Sequence, residues 1–244
     1  MDEYAKIAGM LESGRISPEE AEKLLAALDE AEPAAPESPR TGRWLRARLD
    51  RADLTVRVDP RAGAPAVSGS EAGRLILEDG EDGWRLRQKN ARFRLSFFNL
   101  LTRRMSVELT LPPDAGLELR LGQGRVRIAD RLPALTASIG QGQLDFAGAE
   151  GLDVQLAQGS VSGRARLSGG SHRLSLGMGS LKLALEEGSD LRLQARTGMG
   201  EISVTGSLQY AGEKAAARYE GVVGEGRGLL KISVGMGTVE VEVP

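Results

Sequence analysis

The sequence predicts a mainly β chain, wound as a single-stranded β-solenoid (β-helix) with turns of about 19 residues and preceded by a small N-terminal α-helical hairpin. Three observations predict it. Glycine is abundant, at 32 of 244 residues, while aromatic residues make up only 4%, so the core is aliphatic and the backbone turns often. A pattern of an apolar residue, Gly-x-Gly, a polar residue and then alternation recurs in LGQGRVRI (121–128), IGQGQLDF (139–146), LAQGSVSG (156–163), LGMGSLKL (176–183), TGMGEISV (197–204) and VGMGTVEV (234–241). Finally, the parity within each copy demands a bend. Leu121 and Val126 are five apart, and a straight strand would send them to opposite faces.

The chain divides into three parts. Residues 1–31 form the helical hairpin. Tyr4, Ile7, Met10 and Leu11 fall at helical spacing and Gly14 stops the first helix. Ser17-Pro18-Glu19-Glu20 then supplies an N-cap, a proline at the first helical position and a carboxylate three residues after the cap. Leu24, Leu25 and Leu28, with Ala21, give the second helix its apolar face. Helices this short need a tertiary partner. The hairpin is therefore expected to pack on the main domain, pair with its own copy or dock another protein. Residues 32–42 hold three prolines and no apolar periodicity, the composition of a linker. Residues 43–244 form the solenoid, where 44–244 would make roughly ten turns and a rod on the order of 50 Å long.

Within the solenoid the glycine pair marks a corner. Leu117, Leu119 and Leu121 before it, and Val126 and Ile128 after it, face one core only if the chain bends between them. The first glycine falls at 122, 140, 177, 198 and 235, and Ala157 takes its place in the third copy. The residue between the glycines is Gln123, Gln141, Gln158, Met178, Met199 and Met236. Stacked turns would align these in one corner ladder, with Gln amides bonding along the axis and the Met half covered by segment 206–229 or the hairpin, or left as a partner surface. Trp44–Asp59 and Pro244 are expected to cap the ends. An antiparallel sandwich is the rival, since strand signals every 8–12 residues suit it too. The repeated corner chemistry favours the solenoid because it requires register between successive copies.

Composition excludes several classes of function. The absence of Cys rules out a disulfide framework, thiolate metal sites and a thiol nucleophile, and a single His, His172, rules out multi-His zinc sites. No cofactor is expected. His172 lies beside Ser171, but no G-x-S-x-G elbow exists, and it reads as structural. GEGRG (224–228) lacks the Lys-Ser/Thr ending of a phosphate loop and reads as a turn. Asp145, Asp153, Glu186 and Glu187 are scattered rather than clustered as a glycan-cleaving site requires, and no enzyme is expected. No apolar stretch reaches the length of a membrane span, nor does the N-terminus carry the apolar region of a signal peptide. The expected location is cytoplasmic, peripheral at most to the membrane or envelope.

Charge is segregated, with a net of -7 over residues 1–39, +7 over 40–104 and -2 over 105–244. The basic part peaks at 85–104, where Arg85, Arg87, Lys89, Arg92, Arg94, Arg103 and Arg104 interleave with Trp84, Phe93, Phe97 and Phe98 and no acid intervenes. This block suits an anionic membrane or envelope polymer, and less well a nucleic acid. Alternatively, Arg85 and Arg87 are the wet face of a strand whose charge the acidic hairpin offsets.

MSVELTLPPDAGLELRLGQGRVRIADRLPALTASIGQGQLDF resembles the bacterial "putative adhesin" β-solenoid domain of unknown function. IAGMLESGRISPEEAEKLLAAL resembles the SHOCT-like hairpin that precedes such domains in envelope-stress proteins of the LiaX and YvlB type. The resemblance implies a non-enzymatic binding or scaffold protein of the cell envelope, its hairpin serving to dock a protein or to form a homo-oligomer. It supplies no catalytic residues. A self-assembling, filament-forming solenoid is the alternative the sequence leaves open, and a glycan-active enzyme the third.

Overall fold

The computed structural model describes residues 42–70, 72–81, 83–89, 105–207, 209–210 and 217–244. The hairpin and the linker up to Thr41 lie outside them. Among the described residues thirteen strands form one continuous sheet: β1 (Trp44–Val58), β2 (Ala66–Ser68), β3 (Leu75–Gly80), β4 (Gly83–Gln88), β5 (Met105–Leu111), β6 (Gly116–Leu132), β7 (Leu135–Ala149), β8 (Leu152–Ala165), β9 (Ser171–Leu185), β10 (Leu191–Thr205), β11 (Gln209–Tyr210), β12 (Arg218–Val223) and β13 (Gly228–Glu242).

The long strands stack in parallel and in register, as a solenoid requires and a sandwich does not. Each is a bent rung. Fifteen extended residues would span about 50 Å, yet only Pro133 and Ala134 join β6 to β7, and only Glu150 and Gly151 join β7 to β8. Three Cα steps reach no more than about 11 Å. The end of a rung must therefore return close to its start, which means that its two arms fold back and face each other across the core.

Burial follows this geometry residue by residue. In β6, Leu117, Leu119 and Leu121 are buried on the first arm and Val126 and Ile128 on the second, while Arg120, Arg125 and Arg127 between them are exposed and Glu118 is half-buried. Equivalent positions align from rung to rung, so that Leu117, Leu135, Leu152, His172, Leu230 and Leu193 make one inner column.

Order along the stack departs from order along the chain at both ends. Among the described residues the eight parallel rungs run β4/β5, β1, β6, β7, β8, β9, β13, β10, where β4 and β5 supply the two arms of one rung. Seven spacings give a stack roughly 34 Å high rather than 50 Å. The difference from ten turns lies in β2, β3, β11 and β12, which leave the coil and run antiparallel across its ends. There β3 covers β4, β2 covers β5, and β12 covers the first arm of β10. The expected caps are thus corrected. Trp44–Val58 is an interior rung, and Pro244 follows β13, which lies between β9 and β10. Exchanging the order of two rungs moves every side chain by whole rungs and leaves its face unchanged, which is why inward and outward parity survives the swap.

Candidate functional site

The corner line is the outer edge at which each rung folds. Register places Arg51, Gln123, Gln141, Gln158, Met178, Met236 and Met199 in one row along it. The predicted ladder is present with one change of order, since Met236 sits between Met178 and Met199. What holds the corner is the second glycine. Gly142 and Gly159 have φ of +150° and +139°, and a Cβ at either would lie on the carbonyl oxygen of the preceding rung, closer than any nonbonded contact.

Two expectations about the ladder change. Among the described residues no amide–amide bond joins Gln123, Gln141 and Gln158. The contact present is Gln158 Nε2 to Met178 Sδ at 4.0 Å. Gln141 and Gln158 are exposed, and water competes for their amides at an outer corner. Nor does the described part of 206–229 cover the Met half. The described part of that segment pairs with residues 191–196, on the first arm, and Met178, Met236 and Met199 are 46%, 42% and 61% exposed. The three form an apolar strip on an otherwise polar edge.

The basic block meets the same line. The chain leaves its rung at Gln88, opposite Leu49, and rejoins it at Met105, opposite Ala52, so residues 89–104 replace the two corner residues Asp50 and Arg51. Arg92, Arg94, Phe97, Phe98, Arg103 and Arg104 lie outside the described residues, as does the docking face of Tyr4, Ile7, Met10, Leu11, Leu24, Leu25 and Leu28. The described members divide. Trp84 does not belong to the anionic-surface group: it is 4% exposed, faces the core and carries the Arg43 guanidinium 4.0 Å above its ring. Arg87 pairs with Glu78, Arg43 with Asp79, and Lys89 Nζ donates to the Gly73 carbonyl at 2.8 Å. Arg85 is exposed. Glu78 on β3, laid antiparallel against β4, therefore neutralises one base of that strand, Arg87.

A shallow open trough of about 500 Å³ on the second arms has no clear signal in the sequence. Its sides carry Arg127, Arg164 and Lys182 against Asp145, Glu240 and Glu242. Lys182 and Glu240 pair at 2.7 Å, and Asp145 accepts from Gln143 Nε2 at 2.8 Å. Three bases and three acids leave the trough without net charge, and it does not converge carboxylates on one point. Asp153 stands on a first arm, and Glu186, beyond β9, pairs with Arg131.

Both titratable groups whose properties are shifted serve the fold. His172 is 2% exposed in the leucine column. Its Nε2 donates to the Gly169 carbonyl at 2.7 Å, so Nδ1 accepts, taking the Leu152 N–H at 3.3 Å. Burial holds its pKa below the usual value, and the hydrogen bond to Gly169 opposes this in part. A proton thus binds the unfolded chain more tightly than the folded one. The His172 contribution is complete above the unfolded value of about 6.5 and is lost as pH falls from there towards the lower folded value. We expect the denaturation midpoint to fall between about pH 7.5 and pH 5.5, and His172→Leu to flatten that slope while lowering the midpoint at pH 7.5. An unchanged slope in the variant would assign the dependence elsewhere.

Asp190 explains the GEGRG turn. The Arg227 backbone N–H at 3.1 Å holds its carboxyl below the usual carboxylate range, assisted by the Arg227 guanidinium at 2.6 Å and the Gly226 N–H. The backbone that a phosphate would need already faces an internal anion.

Residues 2–32 match the SHOCT-like domain family. No match was found among curated proteins. Solved structures that match the chain include two bacterial proteins. A protein of Clostridium sporogenes described as a "putative cell adhesion protein" is 13% identical, with a TM-score of 0.48, covering 86% of this chain and 97% of its own. A "putative adhesin" of Bacteroides fragilis is 10% identical, with a TM-score of 0.32, covering 82% and 93%.

Proposed function

We propose that this protein is a non-enzymatic scaffold of the bacterial envelope-stress kind, in which the solenoid presents its corner line to an anionic surface and the SHOCT-like hairpin docks a protein partner. The observation that carries the reading is the position of the basic, aromatic insertion. Residues 89–104 interrupt a rung at the corner, where an insertion leaves both arms paired and the core closed. That insertion holds Arg92, Arg94, Arg103 and Arg104 with Phe93, Phe97 and Phe98, residue types that combine phosphate neutralisation with interfacial insertion. The internal use of His172 and Asp190 supports a role without catalysis. The site of action in this reading is the cytoplasmic face of the membrane.

Sedimentation with liposomes tests it. The full chain is expected to pellet with anionic vesicles and stay in solution with neutral ones, and a variant with Arg92, Arg94, Arg103 and Arg104 changed to Ser is expected to lose most of that pelleting. At roughly 1 kcal/mol per basic residue near the surface, four substitutions correspond to a drop of two to three decades in partitioning. Equal pelleting of both proteins would remove the membrane reading. Head-to-tail filament growth, the alternative, is disfavoured by the antiparallel strands across the stack ends.

A further inference from the structure

The outward faces of the two arms differ in charge near the β4/β5 end of the stack. On the first arms, register sets Arg87, Arg48 and Arg120 opposite one another on β4, β1 and β6, and Arg85 opposite Arg46 one outward position further from the corner. Rungs about 4.8 Å apart bring these five guanidinium groups onto a patch of roughly 10 by 7 Å. Two acids meet them. Glu118 is shared between Arg46 at 3.4 Å and Arg120 at 3.5 Å, and Glu78 of β3 pairs with Arg87. Arg48 and Arg85 are exposed and have no acidic partner among the described residues. The file ends at β7, where Thr136 and Ser138 take the matching positions. On the second arms of the same rungs the charges balance, since Arg57, Arg125 and Arg127 stand among Asp53, Glu108 and Asp130.

Like charges set directly opposite on neighbouring strands cost stability. A file of three, with Arg48 at its centre lacking a counter-charge, is a local conflict of the kind that folds keep where a ligand resolves it. Guanidinium suits phosphate, being a planar, weakly hydrated fork of donors. Position matters as well. Arg87 and Arg48 lie beside the corner, but Arg85 and Arg46 stand four to five residues back from it, which is roughly 15 Å along an extended strand. Contact at the corner alone would leave them beyond the reach of a surface potential screened over about 8–10 Å. Laid flat, the first-arm face brings all five bases to the surface together. We propose that the solenoid rests on an anionic bilayer through this face, with Arg48, Arg85 and Arg120 contacting lipid phosphates while the second-arm face stays in water. The inference rests on the membrane reading above and adds to it the face and the residues that touch the lipid.

Pelleting of the full chain with vesicles of phosphatidylglycerol and phosphatidylcholine tests it, using two triple variants. Arg48→Ser, Arg85→Ser and Arg120→Ser together should weaken partitioning about a hundredfold, at roughly fivefold per base. Arg57→Ser, Arg125→Ser and Arg127→Ser remove the same charge from the second arms and should weaken it less than about tenfold. A label reports orientation independently of affinity, and the chain has no cysteine of its own. A fluorophore on Ser138→Cys, exposed one rung from Arg120 on the same face, should be quenched by spin-labelled headgroups. One on Ser162→Cys, exposed on a second arm, should not. If the wild type binds and the two triple variants lose partitioning equally, the inference is overturned and the membrane reading stands. Equal quenching of the two labels has the same result. A wild type that stays in solution with the anionic vesicles overturns both. Should the first-arm variant fail to fold, the labels decide alone.

Discussion

Gly159→Ala is expected to cost at least about 3 kcal/mol and to shift the urea midpoint accordingly, while Gly140→Ala, two residues before the equivalent glycine of its own rung, costs about 1 kcal/mol. Both positions belong to the Gly-x-Gly corner, but they are held by different constraints. Gly159 has φ +139°, a region that L-residues rarely enter, and its Cβ would fall on the carbonyl of Gly142, which the stacking fixes. Gly140 has no such φ. A Cβ there would sit 2.5 Å from the Gly122 carbonyl, but two rungs already carry a side chain at the matching place, Ala157 in β8 and Asp50 in β1. The first position can therefore relax and the second cannot. A stability of 5–15 kcal/mol is typical for a domain, so the Gly159 substitution removes a large share of it. Equal midpoints for the two variants would show that the corner is held by something other than the backbone geometry of its second glycine.

This asymmetry also decides how much of the fold was legible in the sequence. Parity across the glycine pair was sufficient to require a bend. The five-residue step from Leu121 to Val126 recurs from Leu49 to Leu54, and both pairs are buried on one core. Register was legible for the same reason, because the close backbone approach at the corner locks Gly124, Gly142 and Gly159 into one line. Rung order was not. A repeat specifies what aligns with what, and a swap by whole rungs satisfies every local rule. β1 was missed as a copy because its corner reads Asp50-Arg51-Ala52, and β4/β5 because 89–104 stands where two corner residues would be. At the basic block the composition was visible, whereas the pairing of Arg87 with Glu78 depended on a hairpin that brings β3 against β4.

Phe146 and Gly163 form the other pair with a large expected effect, and they test whether the inner columns behave as packed solids. They are neighbours in the column Ile128, Phe146, Gly163, Leu183. A Cβ on Gly163 would lie 2.5 Å from Phe146 Cδ1, Cδ2 and Cε1, so the ring occupies the space that the glycine leaves. Phe146→Val removes much of a buried ring and should cost about 3 kcal/mol. Gly163→Val forces its methyl groups into that ring and should cost about 2–3 kcal/mol. If the sites were independent, the double variant would lose about 5–6 kcal/mol. Sharing one volume, it should instead recover to within about 1.5 kcal/mol of the wild type, because two valines at facing positions replace a large and small pair with a β-branched pair suited to a pleated, buried surface. Urea denaturation of all four proteins closes the cycle. Additive losses would mean that the ring and the glycine do not compete for the same space, and that the column's alternation of sizes has no part in fixing the register of β7 against β8.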